Sequence, residues 1–315
     1  MMMRVDPYYK KNLEQRIIKD ADQTEFSAIL RDTVLIDAGL YDDRVSGALD
    51  DFKTNDSTIT EDWHALDLEY DSASSEVYQE IERRSSLLRD AYPFKIKDNQ
   101  ITYQESKSYF YEFCLAISSA QNITKGVNRH FPRIFERMSA LLVKFYLGHD
   151  SECIHVGSPR NPDIGKGFVS AMQKVHEVTN EFVWNPVQDF GSDPRTTGDE
   201  GLDFIAWKNT PDRRKGRLFI IGQCACGDDW KTKFNDLNLG KITKWFNPLC
   251  YAQPPVRAFS TPYHLSDINL INAQFEAGLV FDRARLCLIA ERFSQFEELR
   301  FWKDRIQELS KSIIK

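Results

Sequence analysis

GDEGLDFIAWKNTPDRRKGRLFIIGQCACGDDWKTK, residues 198–233, is the stretch whose reading decides the fold. It contains two short apolar runs, LDFIAWK (202–208) and RLFIIGQCA (217–225), both rich in aromatic and β-branched residues. Between them lies NTPDRRKG, a polar turn carrying Pro211 and Gly216. Runs of this length and composition, bounded by turn residues, read as two neighbouring strands. Asp203 then opens the first strand just after a glycine turn, and Gln223 lies near the end of the second. Adjacent strands sit about 5 Å apart, so side chains at these ends can converge on one hydrated ion. A small hard cation such as Mg²⁺ takes oxygen ligands and keeps several waters, so a carboxylate plus an amide or carbonyl oxygen suffices.

Outward from this pair the pattern is that of an α/β (α+β) protein. Upstream, FPRIFERMSALLVKFYLG (131–148) predicts a helix with Pro132 in its first turn and Gly148 at its C-terminal cap. ECIHVGS (152–158) predicts a strand, GKGFVSAMQKVHEVTNEF (165–182) a helix and NPVQDFGSDPRTTGDEG (185–201) a loop. Downstream, KFNDLNLGKITKWF (233–246) predicts one or two short helices, VRAFSTPY (256–263) a strand, and residues 271–315 a largely helical tail. The first 90 residues read as mostly helical, including SAILRDTVLIDAGLYDDRVSGALDDF (27–52). NDSTITEDW (55–63) reads as a loop ending in an N-cap at Ser57 or Thr60. SSEVYQEIERRSSLLRDAY (74–92) is an amphipathic helix, PFKIKDNQITYQ (93–104) a hairpin, and SKSYFYEFCLAISSAQ (106–121) a buried aromatic helix. Two regions are expected: a helical one over 1–125 and a core over 126–315.

A chain of 315 residues with 42% hydrophobic and 28% charged residues can fill a core and stay in solution. It has no apolar run near the roughly 18 residues of a membrane span. Its first residues lack the apolar stretch of a signal peptide, so a cytoplasmic location is expected. Of the six cysteines, Cys224 and Cys226 form C-x-C, which is not the knuckle of a zinc site, and reduced core thiols are the expectation. Residues 1–125 hold 15 Lys and Arg against 24 Asp and Glu, a balance of −9 that leaves +3 for the remainder. Only the second region is electrostatically comfortable beside a polyanion.

GDEGLDFIAW followed by IIGQCA resembles the PD-(D/E)XK nuclease superfamily, and within it the Mrr-type branch with a D…QxK signature. The resemblance covers roughly residues 128–290. It implies a restriction-endonuclease-like core sheet flanked by helices. It maps Asp203 to the metal-binding aspartate, Gln223 to the second-strand position and Glu136, in FERMSALLVKFYLG, to the helix glutamate. The family's lysine would fall at 225, where this chain has Ala225. Positions 223 and 225 share a strand face. Alanine can neither orient a water nor neutralise a pentavalent phosphate. Lys233 is the expected substitute, with Lys231 second.

The resemblance implies Mg²⁺-dependent (or Mn²⁺-dependent) hydrolysis of double-stranded DNA, in a setting of defence against foreign DNA. The acidic N-terminal region would bind a protein partner or a second copy. The alternative is a catalytically silent nuclease-fold subunit that senses DNA or binds proteins. Cleavage of RNA by the same site is a third reading. Other charged residues have plainer roles. Asp199 and Glu200 read as loop charges, and Asp228 and Asp229 as helix N-caps. Asp282, Arg283 and Arg285 read as an internal salt bridge on a helix. His130, His149, His155, His176 and His264 lack metal spacing and read as ordinary.

Overall fold

A computed structural model describes residues 7–36, 59–120, 123, 126–165, 167–186, 201–227, 229–242, 245–246 and 254–314. Its centre is a five-stranded mixed sheet of β4 (Ser151–His155), β5 (Phe204–Lys208), β6 (Leu218–Cys224), β7 (Val256–Ser260) and β8 (Leu279–Phe281), in that spatial order. β4, β5 and β6 run antiparallel, and β7 and β8 continue parallel to β6. The two strands read from residues 202–225 are β5 and β6, paired with Phe204 opposite Gly222 and Lys208 opposite Leu218. The fold class is α/β.

Side chains alternate across β5 and β6 as a period of two requires. Phe204, Ala206 and Ile220 pack into the cluster that includes helix α4 (His130–Leu147). Ile205, Trp207, Phe219 and Ile221 pack into a second cluster with Phe168, Met172 and Val175 of α5 (Phe168–Thr179). α4 buries Phe131, Ile134, Phe135, Met138 and Leu142, which recur at three- and four-residue spacing. It ends at Gly148, whose φ of 83° a residue with a β-carbon rarely adopts. Gly222 also has a steric role. A β-carbon there would overlap the Phe204 ring that lies across it.

The N-terminal part adds α1 (Pro7–Arg31), α2 (Ile59–Leu88) and α3 (Phe110–Ser119) around a small antiparallel sheet. That sheet orders β1 (Thr33–Leu35), β3 (Gln100–Tyr103) and β2 (Phe94–Lys97). The hairpin expected over 93–104 is β2–β3. Asp98 and Asn99 at its turn have φ of 49° and 60°, as a type I′ connection needs. The helix expected across residue 33 is corrected. Asp32 takes φ 63° and ends α1, and Thr33–Leu35 pair with β3. The loop expected over 55–63 is also corrected, because α2 begins at Ile59. Residues 37–58, with Ser57, lie outside the described residues. After the short α6 (Leu239–Ile242), the tail holds α7 (Asp267–Ala277), α8 (Arg283–Arg292) and α9 (Glu297–Ser310), with β8 interrupting what was read as helix. One apolar cluster runs from Ala21 through Phe113 and Phe135 to Ile306, so both halves of the chain share a core.

Inside that shared core lies a charged network. Arg283 donates to both oxygens of Asp22 at 2.8 Å, and Arg84 donates to Asp22 at 2.7 Å and to Glu25 at 2.9 Å. Tyr92 and Tyr111 donate to Glu25, and Arg84 also donates to Glu80. Burial alone would raise the Asp22 carboxyl. Arg283 and Arg84 outweigh it and hold Asp22 down to about 2. The internal salt bridge expected within VFDRARL therefore runs elsewhere. Arg283 pairs across the molecule with Asp22, and Asp282 caps α8 by accepting from the Arg285 N–H at 3.1 Å. Among the described residues no helix is long and apolar enough to cross a membrane.

Candidate functional site

Asp203 is fixed by its backbone before its side chain is considered. Its N–H donates to Gly222 at 2.9 Å, and its carbonyl accepts from Val156 at 2.7 Å and Gly157 at 2.9 Å. The paired β5–β6 register ends with Phe204 opposite Gly222, so Asp203 lies just outside β5, beside the Gln223–Cys224 end of β6. Both side chains are buried, Asp203 at 8% exposure and Gln223 at 5%. The Asp203 carboxylate spends Oδ2 on the Cys224 N–H, at 2.6 Å.

Its other oxygen points to a cradle beside Gly157. The position a β-carbon would take on Gly157 is 3.0 Å from Asp203 Oδ1, 2.8 Å from Glu136 Oε2 and 3.1 Å from His155 Nε2. Three elements supply these atoms: the start of β5, the middle of α4 and the end of β4. Any side chain at 157 would fill the space between them, and glycine leaves it open.

Glu136 and His155 are bonded to each other, Oε2 to Nε2, at 2.9 Å. Their side chains are 16% and 10% exposed. An ionised carboxylate can only accept, so His155 donates from Nε2. Nδ1 is buried and has no partner among the described residues. A histidine that donates one ring N–H to a carboxylate has its ring orientation fixed. The same bond holds Glu136 toward Asp203.

The cysteines beside the carboxylates stay protonated. Burial first, then the Asp203 and Glu136 charges, push the Cys224 thiol well above its usual range. Burial and Glu136 do the same to Cys226. The described cysteines are all free, as expected.

Position 225, where the resemblance leads one to expect a lysine, is packed shut. Ala225 is buried in a cluster with Trp230, Phe259 and Leu265, and its N–H donates to Ser260 at 3.0 Å. The amine of Lys233 lies 3.6 Å from Asp229 and 3.9 Å from Asp236, with 41% of its side chain exposed. Lys231 lies over the Trp230 ring, 5.3 Å from its centroid. Asp229 stands at the N-cap of the short Trp230–Lys233 turn without a side-chain cap bond. Its carboxylate faces Lys233. Asp199, Glu200 and Asp228 lie outside the described residues.

Glu136 and Asp203 thus meet at one cradle, and Gln223 lies on β6 next to the Cys224 N–H that holds Asp203. Lys231 and Lys233 sit on the turn that follows β6. His155 is the residue that sequence spacing passed over. Its one usable signal was its place at a strand end, followed two residues later by a glycine. Among the described residues no group of three or more His, Cys, Asp and Glu is arranged to hold a metal ion by itself. The cradle offers hard oxygens from two carboxylates. That donor set suits a cation completed by amide and water oxygens rather than one caged by protein.

Compared with known proteins, the sequence matches no family model, and no curated protein or solved structure resembles it significantly.

Proposed function

We propose that the chain is a metal-dependent phosphodiester hydrolase acting on DNA, with Asp203, Glu136 and Gln223 as its metal-binding groups. The observation that carries the reading is the convergence of Asp203 Oδ1 and Glu136 Oε2 at 3.0 and 2.8 Å from one point beside Gly157. Carboxylates so placed repel each other, and a divalent cation offsets that repulsion. Mg²⁺ or Mn²⁺ bound there would polarise a phosphoryl oxygen and acidify a water.

The chain's own groups have separate tasks in this reading. Cys224 N–H holds one Asp203 oxygen and so orients the other. His155 holds Glu136 in the same way. Gln223 contributes a neutral oxygen, which makes the site less negative than a third carboxylate would. Lys233 supplies the charge that meets the phosphate. To reach it, the amine exchanges Asp229 and Asp236 for phosphate oxygens. Both are loose partners for a 41% exposed side chain, so the exchange costs little. Double-stranded DNA is the proposed substrate because the +3 half of the chain carries the site. Defence against foreign DNA and a protein partner or second copy on the acidic N-terminal half complete the proposal.

The test is plasmid cleavage by purified protein with Mg²⁺ or Mn²⁺. Wild type should cut, and Asp203→Ala should not. Cleavage that persists in Asp203→Ala would overturn the site. A second reading, a silent nuclease-fold subunit, is favoured by Ala225, whose place in the Trp230–Phe259 cluster excludes a lysine from the usual strand position. Metal binding without cleavage of any DNA or RNA, alone or with partners, would select it.

A further inference from the structure

The helix that supplies Glu136 also carries arginines along one side. Arg129, Arg133 and Arg137 follow one another at four-residue spacing, which places side chains on one face of a helix, a turn apart. Arg129 belongs to that face although it precedes α4. It stands at the N-cap with φ −57° and ψ −14°, so the turn over Gly126–Arg129 runs into α4 with helical geometry. At 1.5 Å per residue the three positions span about 12 Å of axis.

A hydrogen bond fixes where this row ends. Arg137 directly follows Glu136, and its guanidinium donates to the Pro159 carbonyl at 3.1 Å. Pro159 lies two residues past Gly157, the glycine around which Asp203, Glu136 and His155 gather. The chain leaving β4 at His155 therefore passes the cradle and then meets Arg137. The row starts beside the cradle and continues from it toward the N-terminal end of α4.

The charge of the row is not matched by its neighbours. Glu136 is the one acidic residue in the α4 sequence, and it is bonded to His155. Lys144, near the other end of the helix, pairs with Glu298. Among the described residues none of the three arginines is in an ion pair. Arg129 is exposed, and Arg133 and Arg137 are half-buried. Arginines of the interior differ in this respect, since Arg84, Arg217 and Arg283 are each paired with a carboxylate.

A guanidinium only donates, and its fork matches phosphate oxygens two at a time. Arg137 uses one nitrogen on Pro159 and keeps its others. One strand of duplex DNA presents a phosphate about every 3.4 Å of axis, so about 12 Å of helix faces roughly three or four of them.

We propose that DNA reaches the cradle along the first two turns of α4, its backbone phosphates held by Arg129, Arg133 and Arg137. This rests on the reading of the cradle as a site that acts on DNA, and it assigns the surface that positions the strand there. The contacts are to phosphates, so they set affinity and register and carry no sequence preference.

Fluorescence anisotropy of a labelled DNA duplex of about two helical turns tests it, with the full chain and with EDTA present so that binding is read apart from cleavage. Each neutralised phosphate adds about 0.9 to the slope of log K against log salt concentration. The triple variant Arg129→Gln, Arg133→Gln, Arg137→Gln should bind at least about tenfold more weakly and lower that slope by about 2–3. Lys97→Gln, the same kind of charge loss on the hairpin of the acidic half, should change neither. Should the triple variant melt early, Arg129→Gln with Arg133→Gln replaces it. That pair removes no hydrogen bond among the described residues and should lower the slope by about 1–2. A wild type that binds through these arginines and cuts no nucleic acid keeps the row and overturns only the hydrolase reading. A wild type that cuts DNA, with folded variants that match its affinity, slope and cleavage, overturns the row and leaves the hydrolase reading standing. The proposal is also overturned by no duplex binding at low salt up to about 0.1 mM protein, or by an RNA duplex of the same sequence binding about tenfold more tightly through the same arginines.

Discussion

Glu136 Oε2 and His155 Nε2 lie 2.9 Å apart, a bond between the middle of α4 and the end of β4 that turns the glutamate toward Asp203. It leaves the glutamate less freedom than a solvated helix residue has. If the cradle holds a cation, His155 acts through Glu136 and its loss should loosen the site. His155→Ala is expected to weaken Mn²⁺ affinity about 10–100-fold, the usual range for groups that orient a ligand. Calorimetric Mn²⁺ titration of wild type and variant checks this, and equal affinities would remove His155 from the site.

Asp203 has two jobs that substitution can separate. Asn keeps an oxygen for the Cys224 N–H but loses the charge. Ala loses both. Both variants should lower DNA cleavage by at least about 100-fold, since the metal's stabilisation of developing charge is lost. Only Asp203→Ala should lose about 1–3 kcal/mol of stability, because it strands a buried donor. Denaturant midpoints beside a cleavage assay give the comparison.

Lys233 is held by two exposed aspartates, contacts worth less than about 1 kcal/mol. Lys233→Ala should therefore leave stability nearly unchanged while cutting activity about 100-fold. Unchanged cleavage in this variant would give the lysine's task to another group, and Lys231→Ala is the next comparison.

Gly222→Ala should destabilise the sheet by about 1–3 kcal/mol or more, because the new methyl overlaps the Phe204 ring inside a packed core. A shift in thermal midpoint measures it. A neutral result would mean that Phe204 can turn aside freely.

Arg283→Ala should cost about 3–5 kcal/mol, as breaking one side of a buried ion pair leaves Asp22 short of a partner. The same pair predicts a pH dependence. Asp22 is depressed in the folded state, to about 2, so its contribution is fully present above the ordinary carboxylate range. It is lost as pH falls through about 4 toward 2. Wild type should lose urea stability across that window, and Arg283→Ala should lose less of it.

Local pattern carried much of the architecture. The β5–β6 pair, the α4 helix with its Gly148 cap and the Asp98–Asn99 hairpin were all readable, because each depends on periodicity and turn chemistry within a few residues. Thr33–Leu35 and Leu279–Phe281 were not readable as strands. Each is three residues long, too short to show alternation, and each exists because a partner strand was already in place.

The site divides along the same line. The sequence by itself determined that Asp203 opens one strand and Gln223 closes its neighbour, since a two-strand register follows from the two runs and the turn between them. It also showed Ala225 where a lysine was expected. Only the tertiary structure decided what surrounds them. Glu136 and His155 are 19 residues apart in the chain and meet only because α4 packs across β4. Arg283 reaches Asp22 across a separation of 261 residues. Ala225 stays small because Trp230, Phe259 and Leu265 close over it. Contacts of this kind have no sequence period, because they form between faces of elements whose relative placement is set by the packing of the whole core.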